Sequence, residues 1–130
     1  MSLADSIGKV VVTPGERKLH IAVDPAIMDY ARAMVPPIHK VRLNRPRYAP
    51  HITVIRDEEW ECNPKLDGTE VQFSYDPCVV PGKVYWWLRV WSADLLRLRT
   101  GEGLPELSDL CRPPDMEECF HITIGNTKGR

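Results

Sequence analysis

Two four-residue segments carry the side chains best suited to acid–base chemistry. His51-Ile52-Thr53-Val54 recurs as His121-Ile122-Thr123-Ile124, 70 residues further along the chain. In an extended strand successive side chains point to opposite faces, so each His shares a face with its Thr. Each segment is therefore predicted to be a strand with an apolar back and a His/Thr front.

These residue types favour phosphodiester chemistry. An ordinary imidazole titrates near pH 6.5, so two His residues can divide the roles of general base and general acid. Thr hydroxyls beside them can hydrogen-bond a phosphoryl group as charge shifts among its oxygens. The set suits attack of a ribose 2′-hydroxyl, or of water, on a phosphodiester, with no metal and no cofactor. For either His alone, a hydrogen-bonded core residue is the alternative.

A metal site is the other interpretation of paired His residues. Zinc sites favour three or four convergent ligands. The sequence contains no His-Glu-x-x-His and no Cys-x-x-Cys. We therefore predict no metal ligands among the motif residues.

The segments around the two motifs follow one plan. A strand over 18–23 leads into a helix over 25–35, with Asp24 as N-cap and Pro36-Pro37 as its end, and then into the first motif strand over 51–55. A strand over 84–91, a helix over 93–99 and a strand over 119–124 repeat that order. The sequence predicts one domain over 1–130 with a bilobal α+β fold. Duplicated β-α-β lobes, about 10–56 and 70–126, would place antiparallel sheets on either side of a central cleft.

The remaining segments are predicted to connect these elements. Residues 1–9 show no periodicity and are expected to be a loose leader before a short apolar run over 10–12. A polar loop over 56–69 precedes a further strand over 70–75. Residues 104–118 are predicted to be irregular, and 125–130 a polar tail.

Composition is typical of a soluble globular domain: 43% of the 130 residues are hydrophobic and 27% are charged. No apolar run approaches the ~20 residues that a membrane span needs, and the N-terminus does not resemble a signal peptide. We expect a cytoplasmic protein with no membrane partner. Its four cysteines show no disulfide spacing and are expected to be reduced thiols.

Charge is unevenly distributed along the chain. Residues 1–50 carry eight Lys/Arg and four Asp/Glu, whereas residues 51–130 carry nine and fourteen. The basic excess is greatest over 39–48, just before His51, yet the sequence pI is about 6.4. Proteins that hold long nucleic acid usually have a basic stripe and a high pI. A small phosphorylated ligand fits better, with a solvated basic loop as the alternative.

The paired His-x-Thr strands on a duplicated scaffold resemble the 2H phosphoesterase superfamily over roughly residues 10–126. The segment Tyr48 to Val54, the Trp-rich strand and the segment Phe120 to Asn126 resemble the small phage-encoded anti-CBASS phosphodiesterases. This resemblance implies a metal-independent enzyme that cleaves cyclic di- and trinucleotide signals in the host cytoplasm. It implies catalytic roles for His51, Thr53, His121 and Thr123, without assigning base and acid.

Substrate-binding residues are predicted around these motifs. If Trp86, Leu88 and Val90 face a helix, the alternate residues of that strand face the cleft, and Trp87 takes the place that His20 has in the first half. Nucleobases stack on the faces of aromatic side chains, so this strand favours a nucleotide ligand. A Trp-rich core strand is the alternative, and Trp60 is either a lid or a surface aromatic. The candidate contacts are His20, Arg47, Tyr48, Tyr85, Trp87 and Arg89.

Two other functions remain open on the sequence. One is an RNA 2′,3′-cyclic phosphodiesterase that processes RNA ends, since the same His pair would serve it. The other is a protein that sequesters cyclic nucleotides without cleaving them, although such a protein has little need of both acid–base partners. No obligate protein partner is indicated.

Overall fold

The computed structural model describes residues 2–129, which form six strands, two α-helices and one short 3₁₀ helix over Pro64–Leu66. In chain order the elements are β1 Ala4–Val12, β2 Lys18–Ala22, α1 Pro25–His39, β3 His51–Arg56, β4 Glu70–Tyr75, β5 Tyr85–Trp91, α2 Ala93–Gly101 and β6 Phe120–Asn126.

The predicted bilobal α+β fold is wrong. The six strands form one closed antiparallel barrel in the order β1-β2-β3-β6-β5-β4, so the chain is mostly β with two short helices. Two pairings that are distant in sequence join the expected lobes. β3 pairs with β6, and β1, which also pairs with its neighbour β2, pairs with β4. The strand–helix–strand order β2-α1-β3 and β5-α2-β6 is present, but both copies share one sheet.

β1 closes the barrel, and its prediction as a loose leader is wrong for residues 4–9. The strand buries Gly8, Val10 and Val12, whereas Lys9 between them is exposed and Val11 half-buried. β1 and β2 approach closely at Gly8, where a Cβ would stand 2.5 Å from Ile21 Cγ2 and 2.7 Å from the Ala22 carbonyl. Only glycine fits this contact without displacement. Met1 lies outside the described residues.

Helix α1 continues past the predicted stop. It contains both Pro36 and Pro37 and ends at His39, with Lys40 in the left-handed conformation at φ 58°. The Lys40 N–H donates to the Pro36 carbonyl and closes the last turn. Just before the prolines, the fully buried Val35 packs α1 onto the sheet, and we attribute the longer helix to this packing.

The apolar backs of both motif strands form the centre of the core, as predicted. Ile52, Val54, Ile122 and Ile124 are all 0% exposed, and burying each such side chain contributes about 1.5–3 kcal/mol. Both helices pack on this same side of the strands, α1 in the cluster that holds Ile124 and α2 through Leu95 in the cluster that holds Ile52. The His/Thr face is consequently the side that the helices leave uncovered.

Several smaller predictions can be compared with the structure. The strand over 70–75 and the irregular stretch over 104–118 are confirmed, whereas Gly125 and Asn126 belong to β6 and not to a tail. Trp60 is neither a lid nor a surface aromatic: it is buried, and its Nε1 donates to Glu102 at 3.1 Å. All four cysteines are unpaired. Across residues 2–129, neither helix has the length and apolarity needed to cross a membrane.

Candidate active site

The β3–β6 pairing brings the two motifs together. Ile52 pairs with Ile122 in an antiparallel ladder, so one residue to either side His51 lies opposite Thr123 and Thr53 opposite His121. Directly opposed Cβ atoms are about 4.5–5.5 Å apart, and diagonal neighbours, here the two His residues, about 7–8 Å. A phosphate that accepts one ~3 Å hydrogen bond from each imidazole can span that separation. The four side chains lie on adjacent strands of one barrel, not across a cleft between lobes.

Each motif ends on a β-bulge. In the β2–β3 ladder, Leu19 pairs with Ile55 but His20 pairs with Thr53, which leaves Val54 as the extra residue. In the β5–β6 ladder, Trp86 pairs with Gly125 and Trp87 with Thr123, which leaves Ile124 as the extra residue. A bulge bends its strand and re-aims nearby side chains. The fourth residue of the repeated motif is therefore the residue that turns both strands.

An arginine from a helix binds the carbonyl of each bulged residue. Arg99 of α2 donates from Nη1 to Val54 at 2.7 Å, and Arg32 of α1 donates from Nη1 to Ile124 at 3.4 Å. Arg99 is fully buried and also donates to both Glu58 carboxylate oxygens, at 2.6 and 2.8 Å. Burial raises the pKa of Glu58, but hydrogen bonding and charge from Arg99 outweigh it and leave that pKa below its ordinary value. Sequence reasoning missed both arginines.

His121 is held neutral. Burial lowers the pKa of His121 from 6.5 to about 4, and the charge on His51 lowers it further, against the opposing effects of the Cys111 carbonyl and Asp115. Its Nδ1 is buried and makes no well-formed hydrogen bond within residues 2–129. At neutral pH this imidazole can accept a proton.

His51 has one ring nitrogen fixed by the backbone. Its Nδ1 lies 2.8 Å from the Ala49 carbonyl, which can only accept, so Nδ1 carries the proton and Nε2 is the ring nitrogen left for acid–base exchange. The ring of His20 stands edge-on to that of His51 at 5.2 Å between centroids. Partial burial, together with the charge on His51, lowers the pKa of His20. The predicted ligand contact His20 is thus a third imidazole of the site.

A groove of about 570 Å³ opens beside His51. His20 and Thr53 line it, together with the exposed Tyr48, whereas His121 and Thr123 lie outside its lining. A larger depression of about 830 Å³ lies between β1, β4 and the end of β5, and no His lines it. The smaller groove is the relevant one because His51, Thr53 and His20 line it. Arg47, a predicted contact, is exposed but does not line it.

The aromatic strand is placed differently from the prediction. Trp86, Leu88 and Val90 are buried as expected, and Tyr85 is 42% exposed beneath the Lys128 ammonium, 4.9 Å from its ring centroid. Trp87, however, is only 3% exposed. A Cβ added at Gly82 would stand 2.6 Å from the Trp87 ring, so the loop over 79–82 lies against the indole.

Arg89 is also unavailable to a ligand as it stands. It pairs with His121 in the β5–β6 register. Its Nε donates to the Glu117 carboxylate at 2.8 Å, and its Nη1 lies 3.8 Å from Asp76. The guanidinium that was expected to contact substrate therefore pairs with these two carboxylates.

Comparison with known proteins adds nothing to this geometry: no family model, curated protein or solved structure matches the chain. Within residues 2–129, His, Cys, Asp and Glu side chains form no group of three or more that could hold a metal ion.

Proposed function

We propose that the protein is a metal-independent phosphodiesterase of the 2H type that cleaves 3′-5′ bonds of cyclic di- and trinucleotide signals. The observation that carries the proposal is the Ile52–Ile122 pairing, which sets both His residues and both Thr residues on one face of adjacent strands. Nothing else on this face of the two strands combines acid–base groups with hydroxyl donors in this way.

His121 acts as the base and His51 as the acid. The depressed pKa of His121 leaves its imidazole unprotonated, so it removes the proton of the ribose 2′-hydroxyl. The 2′-oxygen attacks phosphorus, the bond from phosphorus to the 5′-oxygen breaks, and Nε2 of His51 protonates the departing oxygen. Thr53 and Thr123 donate hydrogen bonds to the phosphoryl oxygens. The first product is a linear oligonucleotide that ends in a 2′,3′-cyclic phosphate.

The proposed setting is counter-defence by a phage in the cytoplasm of its host. Support comes from the resemblance of residues 48–54 and 120–126 to anti-CBASS enzymes, and from the basic segment before His51. A small cyclic substrate also agrees with a groove of about 570 Å³, which is within the usual size of small-ligand sites. In this setting the enzyme needs neither a membrane nor a protein partner.

The test is product analysis over a panel of 3′-5′ and 2′-5′ linked cyclic di- and trinucleotides in EDTA. We expect linear products from the wild type. His51→Ala and His121→Ala should each reduce the rate ~10²–10⁴-fold, and the double variant should lose little more than the worse single variant. His39→Ala is the matched control, because its ring packs on Trp86 and lies outside the site.

The same panel separates the alternatives. A substrate with a 2′-deoxyribose at the scissile position should bind but remain uncut, and cleavage at an unchanged rate would mean that water attacks directly. Tight binding with no turnover would instead support a sequestering protein. Comparable rates on RNA ends, with a steep salt dependence, would support RNA 2′,3′-cyclic phosphodiesterase activity.

A further inference from the structure

Two cations face each other at the end of the groove beside His51. The β2–β3 register pairs Lys18 directly with Arg56, and like charges in directly opposed positions destabilise a sheet. Lys18 forms an ion pair with Glu16 at 3.8 Å, and both of these side chains are about half exposed. Within residues 2–129 the Arg56 guanidinium has no ion-pair partner. The fold thus holds two cations side by side, Lys18 with one half-exposed carboxylate partner and Arg56 with none among the described residues.

The bulge at Val54 places Arg56 in the groove. Val54 and Ile55 are both buried, so the alternation of β3 shifts by one residue and Arg56 returns to the face that carries His51 and Thr53. Lys18 and Arg56 then lie one row beyond the His20–Thr53 pair, about 7 Å along the strands. Both cations line the same groove as His20 and His51.

The corresponding pair in the other half is uncharged. Counting from the bulge at Ile124, the equivalents of Lys18 and Arg56 are Tyr85 and Asn126, which pair with each other in the β5–β6 ladder. The cation pair is therefore no consequence of the repeated strand geometry. The cation pair occurs only in the first strand–helix–strand unit, beside the groove.

We propose that Lys18 and Arg56 form an anion subsite that binds the non-scissile phosphate of a cyclic oligonucleotide while the scissile phosphate lies between the motifs. This inference rests on the proposed function. Arg offers a planar fork of donors to phosphate and Lys a point charge, and a phosphate placed between them removes the repulsion. A ligand with one phosphate cannot fill both sites, so the subsite selects substrates that have at least two.

The experiment compares Lys18→Gln, Arg56→Gln and the double variant on two probes, a cyclic dinucleotide and a 2′,3′-cyclic mononucleotide. Each single change should raise KM for the dinucleotide about tenfold more than for the mononucleotide, the scale of one charged hydrogen bond. Each should also make binding of the dinucleotide less sensitive to salt. Lys65→Gln, which removes a cation from the distant 3₁₀ helix, should change neither probe.

Binding measured by calorimetry with the 2′-deoxy cyclic dinucleotide keeps this test separate from catalysis. If the wild type binds this probe without cleaving any substrate, the catalytic proposal fails, yet weaker binding by Lys18→Gln and Arg56→Gln would still support the subsite. Equal affinity of the wild type and both variants would overturn the subsite, as would an equal rise in KM for the two probes. Thermal unfolding should show no loss of stability, because the substitutions remove a like-charge pair.

Discussion

The two strand–helix–strand units have the same plan but present different surfaces to a ligand. In both, the motif strand bulges at its fourth residue and the preceding strand of the unit places one aromatic or imidazole ring opposite the motif Thr. That ring is the partly exposed His20 beside a groove in the first unit, and in the second it is Trp87, only 3% exposed under the loop over 79–82. The shared plan sets the positions of the motif His and Thr side chains. The residue opposite the Thr decides which side is open.

The units also differ in how firmly each bulge is held. Arg99, which binds the first bulge, is fully buried and donates four hydrogen bonds, including one to the Pro105 carbonyl at 2.8 Å. Arg32, which binds the second, reaches Ile124 at 3.4 Å and pairs with the half-exposed Asp29. The first bulge is therefore held by an arginine with more and shorter hydrogen bonds than the arginine that holds the second.

Loss of Arg99 should have the largest effect on stability. Arg99→Met removes the ion pair of the Glu58 carboxylate and a donor to the Val54 carbonyl, and should lower the free energy of unfolding by about 3–5 kcal/mol. Arg32→Met, at a partly exposed site, should cost less than about 1 kcal/mol. Urea denaturation followed by circular dichroism measures both, with Arg97→Met as control because Arg97 is 70% exposed on the same helix. Equal losses of stability in Arg99→Met and Arg32→Met would show that the two bulges are held equally firmly.

The pH dependence of stability should come mainly from the second unit. The folded state holds the pKa of His121 near 4, whereas the unfolded chain has 6.5, so between these values the unfolded chain binds more protons. The free energy of unfolding should fall by roughly 3 kcal/mol as pH drops from about 6.5 to about 4. The lowered pKa of His20 acts in the same direction.

Unfolding curves at several pH values measure this pH dependence of stability, and replacing the imidazole shows whether His121 causes it. His121→Asn should flatten the dependence, whereas His39→Asn should retain it. An NMR titration that finds His121 changing protonation near pH 6.5 would contradict the burial argument. It would also remove the reason to choose His121 as the base.

Local patterns in the sequence predicted the elements but not their closure into a barrel. The motif strands and the starts of both helices follow from alternation and from the caps Asp24 and Ser92, which act within a few residues. The first half of β1 has the half-buried Ser6 and the buried Gly8 in place of an aliphatic stripe, so its role depends on distant pairing with β4.

The supports of the site were equally hidden from sequence reasoning. Arg97 and Arg99 look alike in the sequence, yet one is exposed and the other is fully buried. They differ in what they contact in the folded chain, because Arg99 binds the carbonyl of Val54 at the bulge and the carboxylate of Glu58. The loop that covers Trp87 could likewise not be predicted, because no periodic pattern in the sequence indicates how a turn packs. The sequence could therefore identify the four motif residues, but not which side of them is open.

The smallest predicted effect tests the cover over the second unit. In Gly82→Ala the added methyl would collide with the Tyr85 carbonyl and stand 2.6 Å from the Trp87 ring. The loop must shift, at a cost of about 1–3 kcal/mol in the free energy of unfolding, and the Trp87 indole N–H should exchange faster with solvent in NMR spectra. Gly101→Ala is the matched control, because a Cβ there meets nothing within 4 Å. If Gly82→Ala matched the wild type in stability and indole exchange, the loop would not be what buries Trp87. The neighbouring strands alone would then bury Trp87. The two units would differ in the ring opposite the motif Thr and not in the loop above that ring.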